Sequence, residues 1–146
     1  MGDCRLLAFD LGAESGRAMF GELKDGALSL REVHRFPNEP VLVPDGLHWD
    51  SLRLWHEIQT GLAKAAAEHG PEYDGIAVDA WGVDFALLGK GGAVLGEPFH
   101  YRDHRTDGIL PAAYRLVPRE EIYAATGIQF MPINTLYQLW VMRTQG

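Results

Sequence analysis

The chain has 146 residues, 47% of them hydrophobic and 23% charged, with a formal net charge of -7. That length gives room for one domain with a proper hydrophobic core, and the acidic balance argues against a nucleic-acid partner, whose phosphates need a clustered basic surface. No apolar run is long enough to span a bilayer, no signal-peptide core follows Met1, and one cysteine, Cys4, cannot build a disulfide framework, so a reducing cytoplasm is the expected compartment.

Arg5 to Asp10 is a short apolar run ending in a carboxylate, which suits a strand buried on both faces. Leu11 to Gly16 is then a turn rich in small residues. Arg17 to Leu23 reads as a second strand, Lys24-Asp25-Gly26 as a hairpin turn, and Ala27 to Phe36 as a third strand. The chain therefore opens with a three-stranded antiparallel meander. Residues 37–46 carry three prolines and read as a loop. Asp50 is placed to cap a helix from Ser51, in which Leu52, Trp55, Ile58, Leu62 and Ala65 form an apolar stripe, and Gly70-Pro71 stops it. Gly75 to Asp79 is another buried-type strand ending in a carboxylate. After a kink at Trp81-Gly82, Asp84 to Leu88 is expected as a fifth strand.

From Lys90 onward the texture changes. A glycine-rich turn leads through Pro98 into the polar stretch Tyr101 to Thr106. Pro118 suits the first residue of a short helix that ends at Gly127, and Asn134 suits the cap of a last helix whose Leu136, Leu139 and Trp140 share a face. Trp55 and Trp140 are expected in the core. His100 and His104 lie four apart, but Arg102 and Arg105 lie among them and no third ligand is evident, so no metal site is expected there.

Asp10 to Arg17, Asp-Leu-Gly-Ala-Glu-Ser-Gly-Arg, fits a hairpin that holds phosphates. Gly12 and Gly16 permit backbone with φ > 0 and keep side chains away from a phosphate. Successive turn N–H groups make an anion-binding concavity, and the Ser15 hydroxyl adds a donor. Asp10 is placed to hold the magnesium of MgATP through water, and Arg17 to add positive charge. A plain tight hairpin capped by Asp10 explains the same spacing equally well. Neither a Walker A pattern nor G-x-G-x-x-G occurs in the chain.

Asp10 to Arg17 resembles the first phosphate motif of the carbohydrate kinases in the actin-like ATPase superfamily. More narrowly, the chain resembles the rhamnulokinases. Trp49-Asp50, Asp79 to Phe85, Tyr101 to Thr106, and Gly127 to Phe130 continuing to Asn134 to Leu139 carry that narrower match, in the family's order along nearly the whole chain. The resemblance implies an α/β, ribonuclease-H-like domain over 1–146, with a mixed five-stranded sheet and flanking helices. It implies ATP contacts at Ala13, Glu14, Ser15, Gly16 and Arg17, a sugar contact at Gly82, and Mg2+ with ATP as the cofactor. Beside Gly82, Asp84 can accept hydrogen bonds from sugar hydroxyls. Glu14 stands where related kinases often have a small hydroxyl residue, so it is expected to point away from the phosphates or to pair with a cation.

The implied reaction of the whole protein is ATP-dependent phosphorylation of L-rhamnulose to L-rhamnulose 1-phosphate, in L-rhamnose degradation. The implied partners are a small ketose, MgATP and the carboxy-terminal lobe of the same kinase, with no nucleic acid and no membrane. The chain covers well under half of such a two-lobed enzyme. It has no Gly-His-Asp-like motif for the catalytic base and no adenosine lobe, so no catalytic residue is assigned within it and inactivity alone is expected. A kinase for fuculose or xylulose, and a non-catalytic sugar- or nucleotide-binding module, are the alternatives.

Overall fold

The computed structural model describes residues 3–145. In chain order the elements are β1 (Cys4–Leu11), β2 (Ser15–Lys24), β3 (Ala27–Pro37), β4 (Val41–Val43), β5 (Gly46–His48), α1 (Ser51–His69), β6 (Gly75–Ala80), a 3-10 turn (His104–Thr106), α2 (Ile109–Leu116), α3 (Arg119–Thr126) and α4 (Thr135–Gln145). The chain divides into two compact units. The first joins the residues up to Glu39 with Asp50–Gly82, and the second joins Pro40–Trp49 with the residues from Val83 onward.

In the first unit the opening meander forms as the turn signals predict, and β6 adds to it in parallel beside β1, giving the sheet order β3-β2-β1-β6. Alternation along the strands puts Leu7, Phe9 and Leu11 on one face with Ala18, Phe20 and Phe36. Leu54, Ile58, Leu62 and Ala65 of α1 pack against them. Asp50 caps α1, accepting from the Arg53 N–H at 2.8 Å, and Gly70, at φ 83°, ends it.

The buried stripe of α1 matches the expected one at Ile58, Leu62 and Ala65 but departs from it in the first turns. Leu52 and Trp55 are 74% and 58% exposed, while Glu57, Gly61 and Ala65 are buried. Gly61 decides the geometry: a β-carbon there would lie 2.8 Å from the Phe9 ring and 3.0 Å from Ala18. The helix is therefore seated on its 54–58–61–65 side. α1 packs over β2 and β3, so β6 at the far edge keeps Ile76 and Val78 exposed, in contrast to the strand buried on both faces that its composition suggested.

Among the described residues the mixed sheet has four strands, not five. Residues 84–88 run irregularly, with only a bridge between Leu88 and Val94. The reason lies one residue earlier. Val83 takes φ 71°, which turns the backbone out of extended geometry. The ribonuclease-H-like α/β class is unaffected by this change.

In the second unit, the proline-bearing stretch read as a loop contains the β4–β5 hairpin. Pro118 sits just before α3 instead of inside it, and Gly127 ends that helix at φ 64°. α2 and the 3-10 turn were not foreseen. α4 buries Tyr137, Gln138 and Val141, whereas Leu136 and Leu139 of the expected apolar face are exposed. No helix of the described residues is long and apolar enough to cross a membrane.

Candidate functional site

The turn between β1 and β2 is short and braced. The Gly12 N–H donates to the Ser15 carbonyl at 3.0 Å, and the buried Asn38 ties the turn to the end of β3. Its side-chain amide donates to the Gly12 carbonyl at 2.8 Å, and its backbone N–H donates to the Glu14 carbonyl at 3.0 Å. Among the described residues, the N–H groups of Ala13 and Glu14 donate to no protein acceptor. Two adjacent donors on a braced turn are the raw material of an anion site.

The glycines act differently from the sequence expectation. Neither Gly12 nor Gly16 uses a positive φ. A β-carbon on Gly16 would lie 2.1 Å from the Phe36 ring, so Gly16 is required by packing under that ring. On Gly12 it would lie 2.8 Å from the Ser15 carbonyl oxygen, so Gly12 is required by the tightness of the turn. Glu14 is exposed.

Strand register places Asp10 opposite Arg17, Arg17 opposite Arg35, and Asp10 beside Asp79. Paired residues share a sheet face, so these four charged groups form a row at the C-terminal end of β1, on the face opposite α1. Arg17 Nε lies 3.0 Å from Asp10 Oδ2, without the alignment of a hydrogen bond. Both side chains are well exposed, so the pair contributes little to stability. Among the described residues no three His, Cys, Asp or Glu side chains converge as a metal cluster. A magnesium ion at Asp10 would accordingly keep most of its own water, as that ion commonly does. Asp79, which ends β6 as Asp10 ends β1, was not singled out as a site residue in the sequence. The parallel register that brings the two carboxylates together depends on tertiary pairing.

Gly82 has open space around it: a β-carbon built there meets nothing within 4 Å. Trp81 packs against the core of the first unit.

Asp84 lies at the centre of a polar network in the second unit. Its Oδ2 accepts from the Trp49 indole N–H at 2.6 Å and from the Tyr101 N–H at 3.3 Å, and its Oδ1 accepts from the Gln138 amide at 2.9 Å. Trp49 is 2% exposed and lies against His100, with ring centroids 4.0 Å apart and the ring planes tilted by 34°. Burial pushes the His100 pKa below the usual histidine value, and this outweighs the opposite pull of Asp84 and Asp103. Thr135 Oγ1 donates to the Val83 carbonyl at 2.6 Å. A cavity of about 290 Å³ opens alongside, with Val83, Gln129, Phe130, Asn134 and Thr135 among its walls. Gln138, Thr135 and Trp49 belong to stretches singled out in the sequence, yet no role was legible for them, because each acts through a partner distant along the chain.

No protein-family profile matches the chain. Among curated proteins it is similar to the rhamnulokinase of Pectobacterium atrosepticum, with 48% identity over 136 residues, covering 92% of this chain and 27% of that protein. The rhamnulokinase of Bacteroides thetaiotaomicron is 44% identical over 136 residues (93% of this chain, 28% of that protein), and that of Oceanobacillus iheyensis 40% over 140 residues (96% and 30%). The chain therefore spans less than a third of the length of these relatives. Among solved structures, gluconate kinase from Lactobacillus acidophilus superposes with a TM-score of 0.81 at 13% identity, covering 97% of this chain and 28% of that one. Xylulose kinase from Rhodospirillum rubrum superposes with a TM-score of 0.76 at 22% identity, covering 97% and 30%. The fold is that of these solved sugar kinases, and over its own length the chain is homologous to part of a rhamnulokinase.

Proposed function

We propose that the chain is the phosphate-binding part of a cytoplasmic rhamnulokinase, which moves the γ-phosphoryl group of MgATP onto the primary hydroxyl of L-rhamnulose. The observation that carries this reading is identity of 40–49% to rhamnulokinases across more than nine-tenths of the chain. Phosphoryl transfer demands positioning and neutralisation of charge more than covalent chemistry. In this reading the N–H groups of Ala13 and Glu14 bind phosphate oxygens, Ser15 to Arg17 line the same end of the turn with the Ser15 hydroxyl donating and the Arg17 guanidinium adding charge, and the Glu14 side chain is turned outward. Asp10 holds hydrated magnesium, which supplies charge neutralisation at the phosphates. Its exposure and its place beside the turn fit that task. Gly82, with no obstruction over it, admits the ketose close to the backbone, and Asp84 belongs to the same sugar-side segment. The base that takes the hydroxyl proton comes from the part of the protein outside this chain.

The test is a coupled ADP-release assay on the full-length protein with rhamnulose, fuculose and xylulose, run beside the present chain alone. Rhamnulose should be preferred, and the chain alone should give only background. In the full-length enzyme, Gly82→Val should lower kcat/KM for the ketose by about one and a half to three powers of ten, from roughly 2–4 kcal/mol of lost hydrogen bonding and clash. The KM for ATP should move little. Preference for xylulose, or a Gly82 variant that loses ATP affinity and keeps its sugar, contradicts the reading. Binding of sugar or nucleotide by the full-length protein without any turnover would point instead to a non-catalytic module.

A further inference from the structure

Val83 is a β-branched residue at φ 71°, a conformation such residues adopt only where their surroundings impose it. The surroundings here are explicit. Thr135 Oγ1 donates to the Val83 carbonyl at 2.6 Å, and Gln138 Nε2 approaches the same oxygen at 3.3 Å. The same Nε2 lies 2.9 Å from Asp84 Oδ1 and 2.9 Å from the Ile133 carbonyl. An amide nitrogen has two hydrogens and here meets three acceptors, so the longest of these contacts is the weakest. Thr135 is therefore the main hold on the Val83 carbonyl, and Gln138 the main hold on Asp84. Gln138 is 1% exposed, and the direction of its amide is set from outside. Arg105, which can only donate, reaches Gln138 Oε1 at 2.6 Å, so the nitrogen must face Val83 and Asp84.

Resting on the rhamnulokinase reading, we infer that Thr135 and Gln138 of α4, together with Asp84, are positioning residues for the acceptor sugar. They hold Val83 in its left-handed turn, and this fixes the peptide that joins Val83 to Gly82. Asp84 acts through this hold, because both of its oxygens accept from donors of its own chain. It need not touch the sugar to govern it. A backbone group that approaches a polyol closely must be held in one conformation before the ligand arrives, and a strained turn without these donors would relax into extended backbone.

The experiment uses the full-length protein with three substitutions: Thr135→Val, which keeps the shape and removes the donor; Thr135→Ser, which keeps the donor; and Gln138→Met. Steady-state kinetics on ketose and on ATP are paired with amide hydrogen exchange across residues 82–85. Thr135→Val should raise exchange there about tenfold or more and lower kcat/KM for the ketose about ten- to a hundredfold, chiefly through KM, with the ATP KM within about twofold of the parent. Thr135→Ser should behave as the parent in both readouts. Should Gln138→Met fail to fold, the Thr135 pair still decides the matter. Unchanged exchange in Thr135→Val overturns the inference. So does an equal shift of both KM values, or a Thr135→Ser variant as poor as Thr135→Val. If the parent phosphorylates no ketose, the functional reading fails on that result alone, while exchange still reports whether Thr135 holds Val83.

Discussion

The two compact units are built on different physics. In the first, a cluster of Leu7, Phe9, Leu11, Ala18, Phe20, Val33, Phe36 and Ala65 is closed by one amphipathic helix. In the second, the most deeply buried side chains include Trp49, His100 and Gln138; the polar atoms of Trp49 and Gln138 meet Asp84, Val83 and Arg105, and His100 Nδ1 accepts from the Arg102 N–H. Apolar burial is non-directional and scales with the area removed from water. It tolerates exchanges that keep volume and punishes truncation. A buried polar network is directional: complete, it specifies one arrangement, and with one member missing it leaves groups unsatisfied. The contrast teaches that the regular unit should be robust in composition and the irregular unit robust in nothing but its own chemistry.

The largest effect expected of this contrast is at Phe9. Truncation by Phe9→Ala should cost about 3–5 kcal/mol in urea unfolding of the chain, whereas Leu7→Met, which keeps volume, should cost less than about 1.5 kcal/mol. Gln138→Met also keeps volume, but it strips partners from Arg105, Asp84 and the Ile133 carbonyl, and about 2–4 kcal/mol should be lost. A Gln138→Met variant no less stable than Leu7→Met would erase the distinction between the units.

Function divides from stability at Asp10. Its ion pair with Arg17 is exposed, so Asp10→Asn should leave the melting temperature nearly unchanged. In the full-length protein turnover should fall by at least about a hundredfold if Asp10 serves the metal. A lower melting temperature with activity preserved would reduce Asp10 to a hairpin cap.

A smaller effect tests the exception inside the first unit. Glu57 is a buried carboxylate on α1. Its Oε2 lies 2.6 Å from His34 Nε2, and its Oε1 accepts from Arg53 Nε at 2.5 Å. Burial alone would raise its pKa, but the hydrogen bonds from His34 and Arg53 prevail and hold it below the ordinary glutamate value of 4.5. Glu57→Gln should cost about 1–3 kcal/mol at neutral pH.

The smallest effect is in the order of acid loosening. His100 is held neutral by burial, with its folded pKa below 6.5, so the unfolded chain binds the extra proton and stability falls as pH drops below that value. For Glu57, stability is present above the ordinary glutamate value and is lost as pH falls through its lowered folded pKa. Amide exchange at pH 7, 5.5 and 4 should therefore show the second unit losing protection before the first. Simultaneous loss, or loss from the first unit first, would show that these two groups do not govern the acid response.

Legibility follows the same division. The meander, α1 with its Asp50 cap, and β6 could be read from the sequence because period and turn residues are local signals. The tight turn between β1 and β2 was legible from its small residues. The proposed roles of Gly12 and Gly16 required correction, because a glycine's necessity depends on what packs above it. Only the structure shows the Phe36 ring over Gly16.

What the sequence determined by itself is the set of elements whose stabilising contacts repeat at a fixed spacing, together with the order of family motifs that runs from Asp10 to Leu139. Tertiary structure alone decided which side of α1 is buried, through the close approach of Gly61 to Phe9. It also turned the expected fifth strand into an irregular segment, through the left-handed Val83, and gave Asn38, Thr135 and Gln138 their tasks. The physical reason is range. Periodicity and caps act over three or four residues, whereas the partners of Val83 and Asp84 stand 35 to 55 residues away along the chain for Trp49, Thr135 and Gln138, and only the folded backbone brings such donors to their acceptors.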